Sequence, residues 1–143
     1  MEPAFWDTSA IVPLCVRNRA SARAHQLFRR YTPVVWWATP IEAHSALARE
    51  LRAGSLTAEE HTNASSDLGL LKRKWREIEP SDPLRALAEE LLGCYPLSAA
   101  DALQLAAAYV WSEQRPFNRC FICGDKRLLG AARSAGFRGI AID

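Results

Sequence analysis

Short apolar runs alternate along the chain with longer segments whose apolar residues recur every three or four positions, the pattern of strands separated by helices. Ala4 to Trp6 predicts a first strand, stopped by Asp7-Thr8-Ser9. A helical pattern starts at about Ala10, is interrupted near Pro13, and resumes from Ala20 to Arg30 with Ala24, Leu27, Phe28 and Tyr31 at helical spacing. Val34 to Trp37 is a continuous apolar run such as a parallel strand buried on both faces shows. Thr39-Pro40-Ile41-Glu42 predicts a capping box with proline at the first helical position, opening a helix that runs to about Arg52 and stops at Gly54.

A second capping box, Thr57-Ala58-Glu59-Glu60, opens a helix with Ala64, Leu68, Leu71 and Trp75 on one stripe. A short third strand is expected around Trp75 to Ile78. Ser81 or Asp82 caps the next helix, with Pro83 in its first turn and Leu84, Leu87, Leu91 and Leu92 as its apolar face. Ser98-Ala99-Ala100-Asp101 opens an alanine-rich helix to about Trp111. Cys120 to Cys123 is a fourth strand, Lys126 to Ala135 a helix stopped by Gly136, and Arg138 to Ile142 a closing strand. Strands separated by helices predict an α/β fold, a central parallel sheet with helices on both faces.

The length of 143 residues fits one domain with a real core. Eighteen Lys and Arg against sixteen Asp and Glu give only +2, so a phosphate-binding surface would have to come from local clustering. The chain shows no signal-peptide pattern and no apolar run long enough to span a bilayer, so the expected setting is the reduced cytoplasm, without a membrane partner. Cys120 and Cys123 form a CxxC, but no second close pair or nearby His completes a zinc site, and buried structural thiols are expected. His25, His44 and His61 make no metal spacing and are expected on helices or the surface.

In such a sheet, strand carboxyl ends and helix starts share one edge. Asp7 follows the first strand, Glu42 lies one turn into the helix after the second, Asp101 is in the first turn of its helix, and Asp125 follows the fourth strand. Taken singly, each acid has a structural explanation as a capping or turn residue. All four at one edge demand more. Two carboxylates about 5 Å apart at an effective dielectric near 20 repel by roughly 3 kcal/mol. A cation, shared protons or helix N-termini must offset that.

The segments Phe5-Trp6-Asp7-Thr8-Ser9-Ala10, Thr39-Pro40-Ile41-Glu42, Leu97-Ser98-Ala99-Ala100-Asp101-Ala102-Leu103-Gln104-Leu105-Ala106 and Phe121-Ile122-Cys123-Gly124-Asp125-Lys126-Arg127-Leu128 resemble, in this order, the motifs of PIN domains, especially the VapC-like toxins. The resemblance covers essentially the whole chain. It implies a single PIN-like domain over residues 1–143, a sheet of order 3-2-1-4-5, a ribonuclease site dependent on Mg²⁺ or Mn²⁺, a cognate antitoxin and a homodimer. Carried over residue by residue, it implies Asp7, Glu42, Asp101 and Asp125 as the acidic quartet and Ser9 as a supporting hydroxyl. Cys123 stands where the family commonly has Thr or Ser, which alters the hydrogen bonding expected around Asp125.

The chemistry suits these residues, because hard oxygen ligands favour Mg²⁺ or Mn²⁺. Asp7, Asp101 and Asp125 are the expected direct ligands, with Glu42 binding the ion or orienting the attacking water. Hydrolysis by water would leave a 5′-phosphate and a 3′-hydroxyl. An acidic pocket repels RNA, so cations must surround it. Lys72 and Arg73 in the densest basic run, Arg17, Arg19, Lys126 and Arg127 are the expected RNA contacts, although the run around Lys72 equally suits a solvated helix end. Trp6, Trp36 and Trp37 lie in strand runs and are expected in the core. A dimer surface near Trp75 or Trp111 is one option, burial of both in the core the other. Two alternatives stand beside the nuclease: a catalytically silent PIN-like module that binds RNA or protein, and a haloacid-dehalogenase-like phosphatase. The second lacks an acid at Ser9 and at Leu129, where its motifs need one.

Overall fold

The computed structural model describes residues 1–143. Five strands, β1 (Glu2–Trp6), β2 (Tyr31–Trp36), β3 (Arg76–Ile78), β4 (Cys120–Cys123) and β5 (Arg138–Ala141), form one sheet in the order β3-β2-β1-β4-β5. Every adjacent pair is parallel: Phe5 lies opposite both Val34 and Phe121, Trp36 opposite Ile78, and Ile122 opposite Ile140. Seven helices connect them: α1 (Thr8–Cys15), α2 (Ser21–Phe28), α3 (Thr39–Arg52), α4 (Ala58–Lys72), α5 (Asp82–Cys94), α6 (Ala99–Trp111) and α7 (Lys126–Ser134).

Strand side chains alternate between two cores, and both are covered. Ala4, Trp6, Val35, Cys120 and Ile122 pack against α1 to α4, whereas Phe5, Val34, Trp36, Phe121 and Cys123 pack against α5 to α7. Burial on both faces is why the strands read as continuous apolar runs. It also places the two CxxC thiols on opposite faces, buried and unpaired. Gly54 and Gly136, at φ +80° and +109°, let the chain turn out of α3 and α7 where a side chain would be strained.

The chain leaves β1 for β2 and β3 on one side and returns to β4 and β5 on the other. The order therefore reverses between β1 and β4, and the crevice at their carboxyl ends is where an open α/β sheet accepts a ligand. Asp7 follows β1 and Asp125 follows β4, so both acids flank that point.

Several local expectations change. α1 begins at Thr8 and runs through Pro13, since Asp7 caps it three residues before the apolar pattern starts. β2 begins at Tyr31 and ends at Trp36, leaving Trp37 44% exposed beyond the strand. Trp75 lies past the end of α4 and, like Trp111, is buried in the core, so neither ring offers a dimer surface. Leu92 points outward from α5, where Leu84, Ala88 and Leu91 make the buried face. No helix is long and apolar enough to cross a membrane.

Candidate active site

Asp7 is the N-cap of α1. Its Oδ2 accepts from the Ser9 amide at 3.1 Å and the Ser9 hydroxyl at 2.5 Å. The Ser9 hydroxyl in turn accepts from the Gly124 amide at 2.8 Å, tying the end of β4 to the start of α1. Only 5% of Asp7 is exposed, and burial pushes its pKa up to about 6. The Ser9 hydrogen bonds oppose that rise, while Asp101 and Glu42 add to it by repulsion. Asp125 is the N-cap of α7, its Oδ1 accepting from the Leu128 amide at 3.0 Å.

Asp101 lies in the first turn of α6, and its carboxyl is raised mainly by burial and next by the Asp125 charge, with Glu42 adding a smaller push. Ser98 and Arg127 pull it back. The Asp101 amide donates to the Ser98 hydroxyl at 3.2 Å, but its carboxylate does not return a bond to the Ser98 main chain, so only half of the expected capping box forms.

Glu42 departs further from expectation. The N-cap of α3 is Ala38, which makes no side-chain bond, and Thr39 is fully buried inside the first turn. Thr39 instead accepts from Gln104 Nε2 at 3.2 Å, so the box through Glu42 does not exist. Glu42 Oε1 accepts from Thr8 Oγ1 at 2.6 Å and from Gln104 Nε2 at 2.9 Å. Capping thus fails to explain Glu42, whose carboxylate is held instead by side chains from α1 and α6.

All four acids line one open hollow of about 580 Å³ with Thr8, Ser9, Ser45 and Arg49. A second hollow shares Asp101 and Asp125 with the first and adds Ser98, Lys126 and Arg127. The two hollows join at Asp101 and Asp125 into one trench, with Arg49 lining the first and Lys126 and Arg127 the second. Arg17 lies elsewhere, in a hollow with Asn18, His25 and Asp67, and Arg19 is exposed in the same α1–α2 turn. Lys72 and Arg73 lie at the opposite edge of the sheet. α4 must deliver the chain to the start of β3, and there Arg73 neighbours Pro3, Thr32 and Arg119 at strand beginnings.

The sequence reading missed Thr8, Thr39, Gln104 and Arg49. Two carried a signal: Gln104 is three residues from Asp101, and Arg49 seven from Glu42, spacings that put each pair on one helix face. Cys123 sits beneath the two capping acids, its Sγ 3.7 Å from Asp7 Oδ2 and accepting from the Asp125 amide at 3.4 Å. Burial, with the neighbouring Asp7 charge, pushes its thiol up. The thiol therefore touches the main chain of Asp125 and the carboxylate of Asp7 rather than the carboxylate of Asp125.

No three of the His, Cys, Asp and Glu side chains stand close enough to share one ion. The donor set still fits a hard cation, because Mg²⁺ is commonly held by one or two carboxylates and keeps several waters. Like charges at buried Asp7 and half-buried Asp101 supply the electrostatic reason for one, since a cation offsets both desolvation and repulsion.

No protein-family model and no curated protein matches the chain significantly. Solved structures do. A toxin–antitoxin complex from Klebsiella pneumoniae is 16% identical over 98% of this chain and 98% of that one, with a TM-score of 0.68. PAE2754 from Pyrobaculum aerophilum is 21% identical over 99% and 90%, at 0.65. FitAcB from Neisseria gonorrhoeae is 16% identical over 94% and 96%, at 0.61. The chain therefore has the fold of these proteins over nearly its whole length, the PIN-like arrangement implied by its four acidic motifs.

Proposed function

We propose that the chain is a metal-dependent endoribonuclease, the toxin of a toxin–antitoxin pair. The observation that carries this reading is the convergence of Asp7, Glu42, Asp101 and Asp125, from four separate parts of the chain, on one hollow at the topological switch point. Asp7, Asp101 and Asp125 would hold Mg²⁺ or Mn²⁺, one or two of them directly and the rest through its retained waters, and the bound ion would supply Lewis-acid activation of water and neutralise charge on the scissile phosphate. Glu42 would orient the attacking water. Ser9 keeps the Asp7 carboxylate in place through two hydrogen bonds to one oxygen. Arg49, Lys126 and Arg127 line the same trench as the acids and would hold the phosphates near the cut.

One of the similar structures supports the partner: it is a toxin–antitoxin complex by description, and a small nuclease needs restraint in the cell. An antitoxin segment offering Arg or Lys to the quartet would replace the cation through charge-assisted hydrogen bonds. A homodimer, also implied by the resemblance, would draw on side chains other than the buried Trp75 and Trp111.

The test is cleavage of RNA by the purified chain with Mg²⁺ or Mn²⁺, with EDTA as control. Asp7→Asn and Asp101→Asn should each lose at least about a hundredfold in rate while remaining folded. Undiminished cleavage by both variants refutes the assignment, and RNA binding without cleavage by the wild type favours a silent module.

A further inference from the structure

Gln104 is 1% exposed in the middle of α6, among the buried apolar residues Ala102, Leu105, Ala106, Ala107 and Ala108. Its Nε2 lies 3.0 Å from Thr8 Oγ1, 3.2 Å from Thr39 Oγ1 and 2.9 Å from Glu42 Oε1. These acceptors come from the starts of α1 and α3, so one amide joins the three helices that carry Asp7, Glu42 and Asp101. Its Oε1 is buried with no partner. The reverse amide orientation would set that carbonyl against the Glu42 carboxylate and two hydroxyls, so the surrounding acceptors dictate which end faces them. An unpaired buried carbonyl is destabilising, and an apolar side chain would fill the position without that cost. Retention of an amide here calls for a role beyond packing α6 against its neighbours.

The bonding around Glu42 supplies that role. Thr8 donates its hydroxyl hydrogen to Glu42 Oε1 and accepts from Gln104, so the two donors on Oε1 brace each other. Glu42 Oε2 takes no hydrogen bond from the protein. One oxygen is anchored while the residue lines the hollow, which confines the carboxylate to a single presentation. The geometry points to Gln104 as a positioning residue that, with Thr8, aims Glu42 at the attacking water; the inference rests on the nuclease reading above. The Gln104 amide touches neither RNA nor cation. Its effect passes through Glu42.

The test is a double-mutant cycle between Gln104→Leu and Glu42→Ala, read by kcat, KM and thermal unfolding in EDTA. Gln104→Leu should lower kcat roughly 10- to 100-fold, as loss of an outer hydrogen-bonding partner does, with KM within about twofold. In the Glu42→Ala background it should change kcat by less than about twofold, since there is no carboxylate left to aim. Melting should agree: Gln104→Leu lowers the melting temperature of the wild type, because Glu42 loses its buried donor, and lowers that of Glu42→Ala by less, since only the bonds to Thr8 and Thr39 are lost there. Equal losses of kcat or of melting temperature in both backgrounds overturn the inference, as does a folded Gln104→Leu with wild-type kcat. If the wild type cleaves and Asp101→Asn does not, such a result counts against Gln104 alone. Absence of cleavage by the wild type fells the nuclease reading and the positioning role together.

Discussion

Replacing Asp7 with Asn tests what burial of a carboxylate costs this fold. Asp7 is 5% exposed, and its pKa is raised from 3.8 to about 6 chiefly by desolvation. Between those values the folded state holds a proton that the unfolded chain has released. Metal-free stability therefore falls as pH rises through the window from about 4 to about 6, and is lowest and flat above it. The shift of roughly two units corresponds to about 3 kcal/mol at 1.36 kcal/mol per unit. Asn removes the titration but keeps one oxygen to accept from Ser9. The stability difference between Asp7→Asn and wild type should thus move in the variant's favour by about 3 kcal/mol from about pH 3 to about pH 7.5, whatever the substitution costs in lost hydrogen bonding.

At about 3 °C per kcal/mol for a domain of this size, that is roughly 9 °C in relative melting temperature. Urea unfolding and thermal melts in EDTA, at intervals across this range, measure it. Asp101, also raised by burial and by Asp125, titrates in the same direction in both proteins and cancels from the difference except for the repulsion it shares with Asp7. Parallel stability curves for the two proteins would refute the reasoning, because Asp7 would then carry no excess proton affinity in the folded state.

Mn²⁺ at a hundred times its dissociation constant should stabilise the wild type at neutral pH by about 2.7 kcal/mol, and Asp101→Asn by clearly less, as melts with and without the ion would show. Arg49→Ala and Lys126→Ala should raise KM for RNA roughly three- to tenfold, the effect of about 1 kcal/mol of screened ion pairing, and each should lower the salt-dependence slope of binding by about one. Lys72→Ala and Arg73→Ala, at the far edge of the sheet, should leave both unchanged. Thr57→Ala should destabilise the protein by about 1 kcal/mol without altering cleavage, since the reciprocal Thr57–Glu60 box caps α4 away from the trench.

The strands were legible because both faces of a parallel sheet are buried and leave unbroken apolar runs such as Cys120 to Cys123. Three acids were legible for a topological reason: Asp7 and Asp125 end strands and Asp101 opens a helix, and each place implies the same edge. Glu42 was placed correctly but for a capping bond that is absent. Thr39 has a buried partner in Gln104, 65 residues away, and that contact outweighs the local preference to cap. Nothing in an alanine-rich segment shows that one glutamine will reach three side chains on two other helices. Lys72 and Arg73 looked suitable by charge density alone, which is a local property, whereas the edge a residue occupies is set by the direction in which its helix returns the chain. Trp37 extends the apolar run of β2, yet hydrophobicity does not report where burial stops.

The most direct measurement is mapping of the 5′ ends produced when RNA is incubated with the purified chain and Mn²⁺, in parallel with Asp101→Asn. The four-carboxylate site predicts discrete new ends that carry a 5′-phosphate opposite a 3′-hydroxyl, and their loss in the variant and in EDTA. Ends that persist in the folded Asp101→Asn protein, or products with a 2′,3′-cyclic phosphate, would contradict it, for the acids would then not be cutting the RNA.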